Sequence, residues 1–137
     1  MNAMTICVLH GDGLIKMMSI DSTDISRVFE TTRSLRLQEV MDEYLGIVRF
    51  KDNLVVCGEK QSKMYWCIVS LHDGHVDAIH QICKVDKGWC WCRVTTKDNI
   101  VYISCDAGDE FPNNTGVYGF DILNPSQCKY TYKHQRL

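Results

Sequence analysis

The chain has 137 residues, 45% of them hydrophobic and 23% charged, with a formal net charge of −2. That length suits one domain of ordinary soluble composition. The charge balance gives no reason to expect nucleic acid or an anionic membrane surface, since both call for a basic stripe. No apolar run reaches the length of a bilayer-spanning helix.

In chain order, residues 4–33 predict a unit of three strands: Thr5–His10, Leu14–Asp21 and Ser26–Thr31, with Gly11-Asp12-Gly13 turning between the first two. Ser34–Leu45 follows, where Leu37, Val40, Met41, Tyr44 and Leu45 stand at helical spacing, so a short helix near 34–45 is expected, capped by Ser34 and stopped by Gly46. Residues 45–83 then predict a four-stranded antiparallel meander. Its strands are Leu45–Lys51, Leu54–Glu59, Met64–Leu71 and His75–Ile82, with turns at Asp52-Asn53 and His72-Asp73-Gly74. Met64–Leu71 is apolar on both faces and reads as a buried strand. Residues 89–133 repeat the pattern as Trp89–Thr96, Ile100–Cys105, Val117–Leu123 and Cys128–Lys133, with turns at Asp98-Asn99 and Asn124-Pro125-Ser126.

The strongest single signal lies across these units. Lys51-Asp52-Asn53-Leu54-Val55 returns as Lys97-Asp98-Asn99-Ile100-Val101, 46 positions on. A period of this length is the signature of stacked β-units. Further along, the spacing grows to 51, aligning Ile20, Leu71 and Ile122, and between the second and third copies the extra residues fall in the loop 106–115. The fold class expected is therefore all-β: a single domain of repeated four-stranded antiparallel meanders.

Phe50–Gly58 with Met64–Gly74, and Arg93–Cys105 with Gly116–Pro125, together resemble kelch-type β-propeller repeats in period and strand order. Where that family carries a paired glycine, this chain has Cys57-Gly58 in one copy and Cys105-Asp106-Ala107-Gly108 in the other, and the family's fourth-strand tryptophan is absent. The resemblance implies a partial propeller. Because propellers usually close with four to eight blades, it also implies closure of the chain on its own ends, a homodimer, or membership of a larger propeller.

Eight cysteines, at 7, 57, 67, 83, 90, 92, 105 and 128, could signal disulfides. Six of them sit inside apolar runs, where a thiol packs as a small hydrophobe, so reduced cysteines and a cytoplasmic or nuclear location are expected. His72, His75, His80, Cys83, Cys90 and Cys92 lack the paired C-x₂₋₄-C spacing of a zinc site. On that reading Cys90 and Cys92 face the core and Trp89 and Trp91 the opposite side. Asp106–Glu110 lacks the alternating ligands of a calcium loop, and Gly11-Asp12-Gly13 lacks the rest of a phosphate loop. No catalytic residue, cofactor or metal is expected. What remains is a non-enzymatic protein–protein interaction module with an unidentified protein as partner. Its contact residues would be Asp109, Glu110 and Phe111 on the long loop, an apolar ring set among polar neighbours. The alternative is a small enzyme or ligand-binding β-barrel.

Overall fold

The computed structural model describes residues 4–20, 30–37, 40–84, 91–106 and 115–133. They form eleven strands in three antiparallel sheets. The first sheet has the order β1 (Met4–Leu9), β2 (Leu14–Ile20), β3 (Glu30–Arg36). The middle sheet is β4 (Glu43–Phe50), β5 (Asn53–Lys60), β6 (Lys63–Ser70), β7 (Val76–Lys84), and the last is β8 (Trp91–Lys97), β9 (Ile100–Asp106), β10 (Gly116–Asp121), β11 (Asn124–Lys133). Neighbouring strands in sequence pair within each sheet, so all three sheets are meanders; the two four-stranded ones are as the sequence predicts, while the last strand of the first sheet is Glu30–Arg36 and most of the expected Ser26–Thr31 lies outside the described residues.

The middle sheet is covered on both faces. Along β5, Leu54 and Val56 point into a cluster with Ile15, Met17 and Leu35 of the first sheet. Val55 and Cys57 point the other way, into a cluster with Val101, Ile103, Cys105 and Phe120 of the last sheet. β6 divides in the same manner, Cys67 and Val69 going to one side and Met64 and Trp66 to the other. Period-two alternation of two apolar sets explains why these strands read as continuous hydrophobic runs. The Cys67 thiol, sunk in this packing, is pushed up to about 12 by burial, with Cys57 adding to the shift.

The first sheet is tied to the middle one through backbone. Tyr44 N–H of β4 donates to Gly11 C=O at 3.1 Å and the Arg33 guanidinium to the His72 carbonyl, while Leu37 N–H, donating to Gly13 C=O at 2.9 Å, extends the β2–β3 pairing within the first sheet. Gly13 has φ +91°, and a Cβ there would stand 2.8 Å from the Tyr44 ring, so both its conformation and its lack of side chain are required.

Three expectations are corrected. The helix over 34–45 does not form: Ser34 lies in β3, Tyr44 and Leu45 in β4, and the described residues contain no helix. Leu37 and Met41 are buried from the link between β3 and β4, and Tyr44 from β4 itself, all in the cluster between the first and middle sheets. Their spacing reports burial, not helical period. The link is held in place at Asp42, whose N–H donates to Glu59 C=O at 2.8 Å and whose carboxylate accepts the Gln61 N–H at 2.9 Å.

The second correction concerns the repeated pentapeptide. Phe50 pairs with Asn53, so the first turn is Lys51-Asp52 instead of Asp52-Asn53, whereas Lys97 pairs with Ile100 around Asp98-Asn99 as expected. In each turn the first central residue takes positive φ, 53° at Lys51 and 54° at Asp98. The turn has thus moved by one residue between copies, which slides the pairing of its two strands by two. Two residues is one full pleat, so the apolar faces still coincide.

The third is the β10–β11 turn, which falls at Ile122-Leu123. Asp121 pairs with Asn124 and Phe120 with Cys128, leaving Pro125-Ser126-Gln127 as a bulge. A proline that cannot donate to the ladder is accommodated in this way.

Candidate interaction surface

The two outermost sheets each have one face turned away from the core. On the last sheet that face is built from alternate residues of four strands. β8 contributes Trp91 and Arg93, β9 Tyr102 and Ser104, β10 Val117 and Gly119, and β11 Tyr130 and Tyr132. Cross-strand pairing sets their neighbours: Val117 stands opposite Tyr132 and Ser104, and Gly119 opposite Tyr130 and Tyr102. The two tyrosines close over Gly119, where a Cβ would meet the Tyr130 ring at 3.0 Å and the Tyr102 ring at 3.4 Å. Trp91 is 65% exposed, Tyr130 51% and Tyr132 68%. Val117 is exposed, as is Leu123 on the adjoining turn. Contiguous exposed aromatic surface of this kind is unusual on an isolated domain. β11 is also a sheet edge, hydrogen-bonded to β10 alone.

The first sheet turns Val8, Leu14, Lys16 and Met18 outward, all half-buried, on the face opposite Ile15 and Met17, with Lys16 paired to Val8 on one side and Ser34 on the other. Among the described residues, β1 hydrogen-bonds β2 and no strand of the first sheet pairs with the last.

Two clefts are also formed, one apart from this face and one at its Trp91 end. One, of about 430 Å³, is lined by Asn53, Ser70, His75, Asp77, His80 and Pro125, among others. Here His75 Nε2 lies 3.0 Å from Asp77 Oδ1, both groups exposed. The Asp73 carboxylate accepts the His75 N–H at 2.9 Å, and this bond holds its carboxyl below the usual range. The His80 ring packs against Trp66 at a tilt of 44°, with centroids 4.9 Å apart, and burial lowers its pKa. The other cleft, of about 480 Å³, is bounded by Leu45, Trp91, Arg93 and Asp106, with Cys92 and Cys105 in its wall.

The loop residues Asp109, Glu110 and Phe111 lie outside the described residues, as do Cys90 and Trp89. Cys92 is buried and Trp91 exposed on the opposite side of β8, the division the sequence predicts. His72 and His75 are both exposed, and among the described residues no three His, Cys, Asp or Glu side chains converge on a point that could hold a metal. The aromatic face could have been found from alternation along β10 and β11, once the unit's last two strands were recognised as lying at the end of the stack.

Compared with known proteins, the chain matches no family model and no curated protein.

Proposed function

We propose that the chain is a non-enzymatic protein-interaction module of propeller-like, kelch-like architecture, and that the outer face of the last sheet is where it binds. The observation that carries this reading is the exposed cluster of Val117, Tyr130 and Tyr132 around Gly119, with Trp91 exposed on the same face two strands away on β8. Aromatic side chains bring large apolar area at low entropic cost, which is why they dominate interface energetics. The partner that fits is another β-sheet face of the same kind. The middle sheet demonstrates the chemistry, since both its faces are satisfied by neighbouring meanders.

A second copy of the chain supplies a half-buried face in its first sheet, where Val8, Leu14 and Met18 surround the stem of Lys16. Two copies stacked head to tail through two such contacts would form a closed ring of six sheets. The alternative reading, an enzyme or ligand-binding barrel, would be favoured by one continuous closed sheet, whereas the described strands fall into three separate ones.

Sedimentation velocity across a concentration series tests the proposal. The expected result is a dimer that a paired Val117→Lys and Tyr132→Lys variant converts to monomer, with the urea midpoint of the monomer unchanged. A wild-type chain that stays monomeric at the highest attainable concentration rules the second copy out.

A further inference from the structure

The inner wall of the last sheet holds an arrangement that the interaction reading does not use. Cys92 on β8 and Cys105 on β9 are directly opposed across the ladder. Their sulfurs lie 3.2 Å apart, and both residues are nearly buried, at 5% and 2% exposure. Directly opposed residues of an antiparallel pair have Cα atoms roughly 4.5–5.5 Å apart, inside the roughly 4.4–6.8 Å that a disulfide spans. Bond formation needs the sulfurs to approach by about 1 Å, to the usual length of about 2.0 Å. Both residues also border the cleft of about 480 Å³ beside Trp91 and Asp106.

We propose that Cys92 and Cys105 are a thiol pair that hydrogen peroxide converts to a cross-strand disulfide and that a dithiol reductant restores. One thiol, as thiolate, attacks a peroxide oxygen, breaking the O–O bond, releasing water and leaving a sulfenic acid. The second thiolate attacks that sulfenic sulfur, forms the S–S bond and releases a second water. Two thiols are oxidised by two electrons and one peroxide is reduced to two waters.

The pair has an internal competitor. Cys57 belongs to the same core cluster, and Gly46 lies between them: a Cβ on it would meet the Cys57 sulfur at 2.8 Å and the Cys92 carbonyl oxygen at 3.2 Å. Cys57 belongs to the middle sheet, however, and has no register partner on β8, so bridging it to Cys92 would require the two sheets to shift. The ladder favours Cys105.

The test is thiol mapping of the whole chain. Reduced protein is treated with hydrogen peroxide, unreacted thiols are alkylated in denaturant, and the digest is read by mass spectrometry. The expected result is one linked peptide pair joining Cys92 to Cys105, an intact mass lowered by two hydrogens before alkylation, and full return on dithiothreitol treatment. In Cys105→Ser, Cys92 should no longer be protected from alkylation. A dominant link from Cys92 to Cys57, or both thiols remaining alkylatable while Cys7 and Cys128 oxidise, would overturn the proposal. The wild-type mapping decides the matter even if the serine variant fails to fold.

Discussion

Trp66 is the largest fully buried side chain among the described residues, and it carries the junction of the middle and last sheets. Its ring lies 5.4 Å from that of Phe120 and 4.9 Å from that of His80, while its indole N–H finds no acceptor. Trp66→Ala should lower stability by roughly 3–5 kcal/mol, read from urea denaturation, because so large a void cannot collapse between two sheets. Gly58 is constrained in the opposite sense. A Cβ there would sit 2.3 Å from the Glu43 carbonyl oxygen and 2.6 Å from the Met41 sulfur. Since backbone has to yield, Gly58→Ala should cost about 2–3 kcal/mol, toward the upper end of overpacking penalties, again visible as a lower urea midpoint. His80 gives a pH dependence. Burial holds its folded pKa below the ordinary 6.5, so the unfolded chain binds the proton more readily. Stability is then full above pH 6.5 and declines as pH falls below it. Thermal scans stepped downward from neutral pH should show this decline, and His80→Gln should flatten it.

At the level of elements, the sequence was legible wherever alternation and turn chemistry agreed. The meanders of the middle and last sheets follow from their apolar runs, and the Asp98-Asn99 turn falls where expected, while its counterpart in the middle sheet sits one residue earlier at Lys51-Asp52. The segment 34–45 misleads because Leu37 and Met41 are buried by a chain crossing between sheets and Tyr44 by β4, and a spacing of three or four residues cannot separate that from a helix. The β10–β11 turn misleads because Asn124-Pro125 carries turn chemistry but serves a bulge three residues long. Of the candidate site, the tyrosines of β11 could be read as apolar end residues, while Gly119 and Tyr102 gain meaning only from the register. The β5–β6 turn offers a direct test of turn energetics. Gln61 and Ser62 both take positive φ, at 50° and 62°, the signature of a type I′ hairpin for which Asn-Gly is preferred. Replacing the pair by Gln61→Asn with Ser62→Gly should raise stability by about 1 kcal/mol. The Gln61 N–H to Asp42 bond survives the change because it uses backbone. A midpoint that falls instead would mean that the native side chains make contacts worth more than the relieved strain.

For the whole molecule, stability should be graded across the stack. Amides of β5 and β6 are shielded on both faces and paired on both sides, whereas β11 is an edge with its outer residues in water. Native-state hydrogen exchange should therefore find the slowest amides at Val55, Val56 and Cys67 and the fastest strand amides in β11. If the outer face of the last sheet receives a second copy, the β11 amides should slow with rising protein concentration while those of β5 do not change. Uniform exchange across all three sheets would contradict the layered arrangement of the core.

The shifted turn in the repeated pentapeptide bears on how such a chain tolerates change in length. Lengthening one arm of a hairpin by one residue and shortening the other by one leaves every inward side chain inward. The structure therefore absorbs this compensated change without rebuilding its interior. An uncompensated insertion in β5 would do the reverse, exchanging the residues that serve the two cores. Because Leu54, Val55, Val56 and Cys57 are all apolar, polarity alone would scarcely penalise that exchange. Shape must guard the frame instead, through Gly58 beneath the Glu43 carbonyl and Gly46 beneath the Cys57 sulfur. In a sheet wetted on one side, water proofreads the register; in this middle sheet two glycines do.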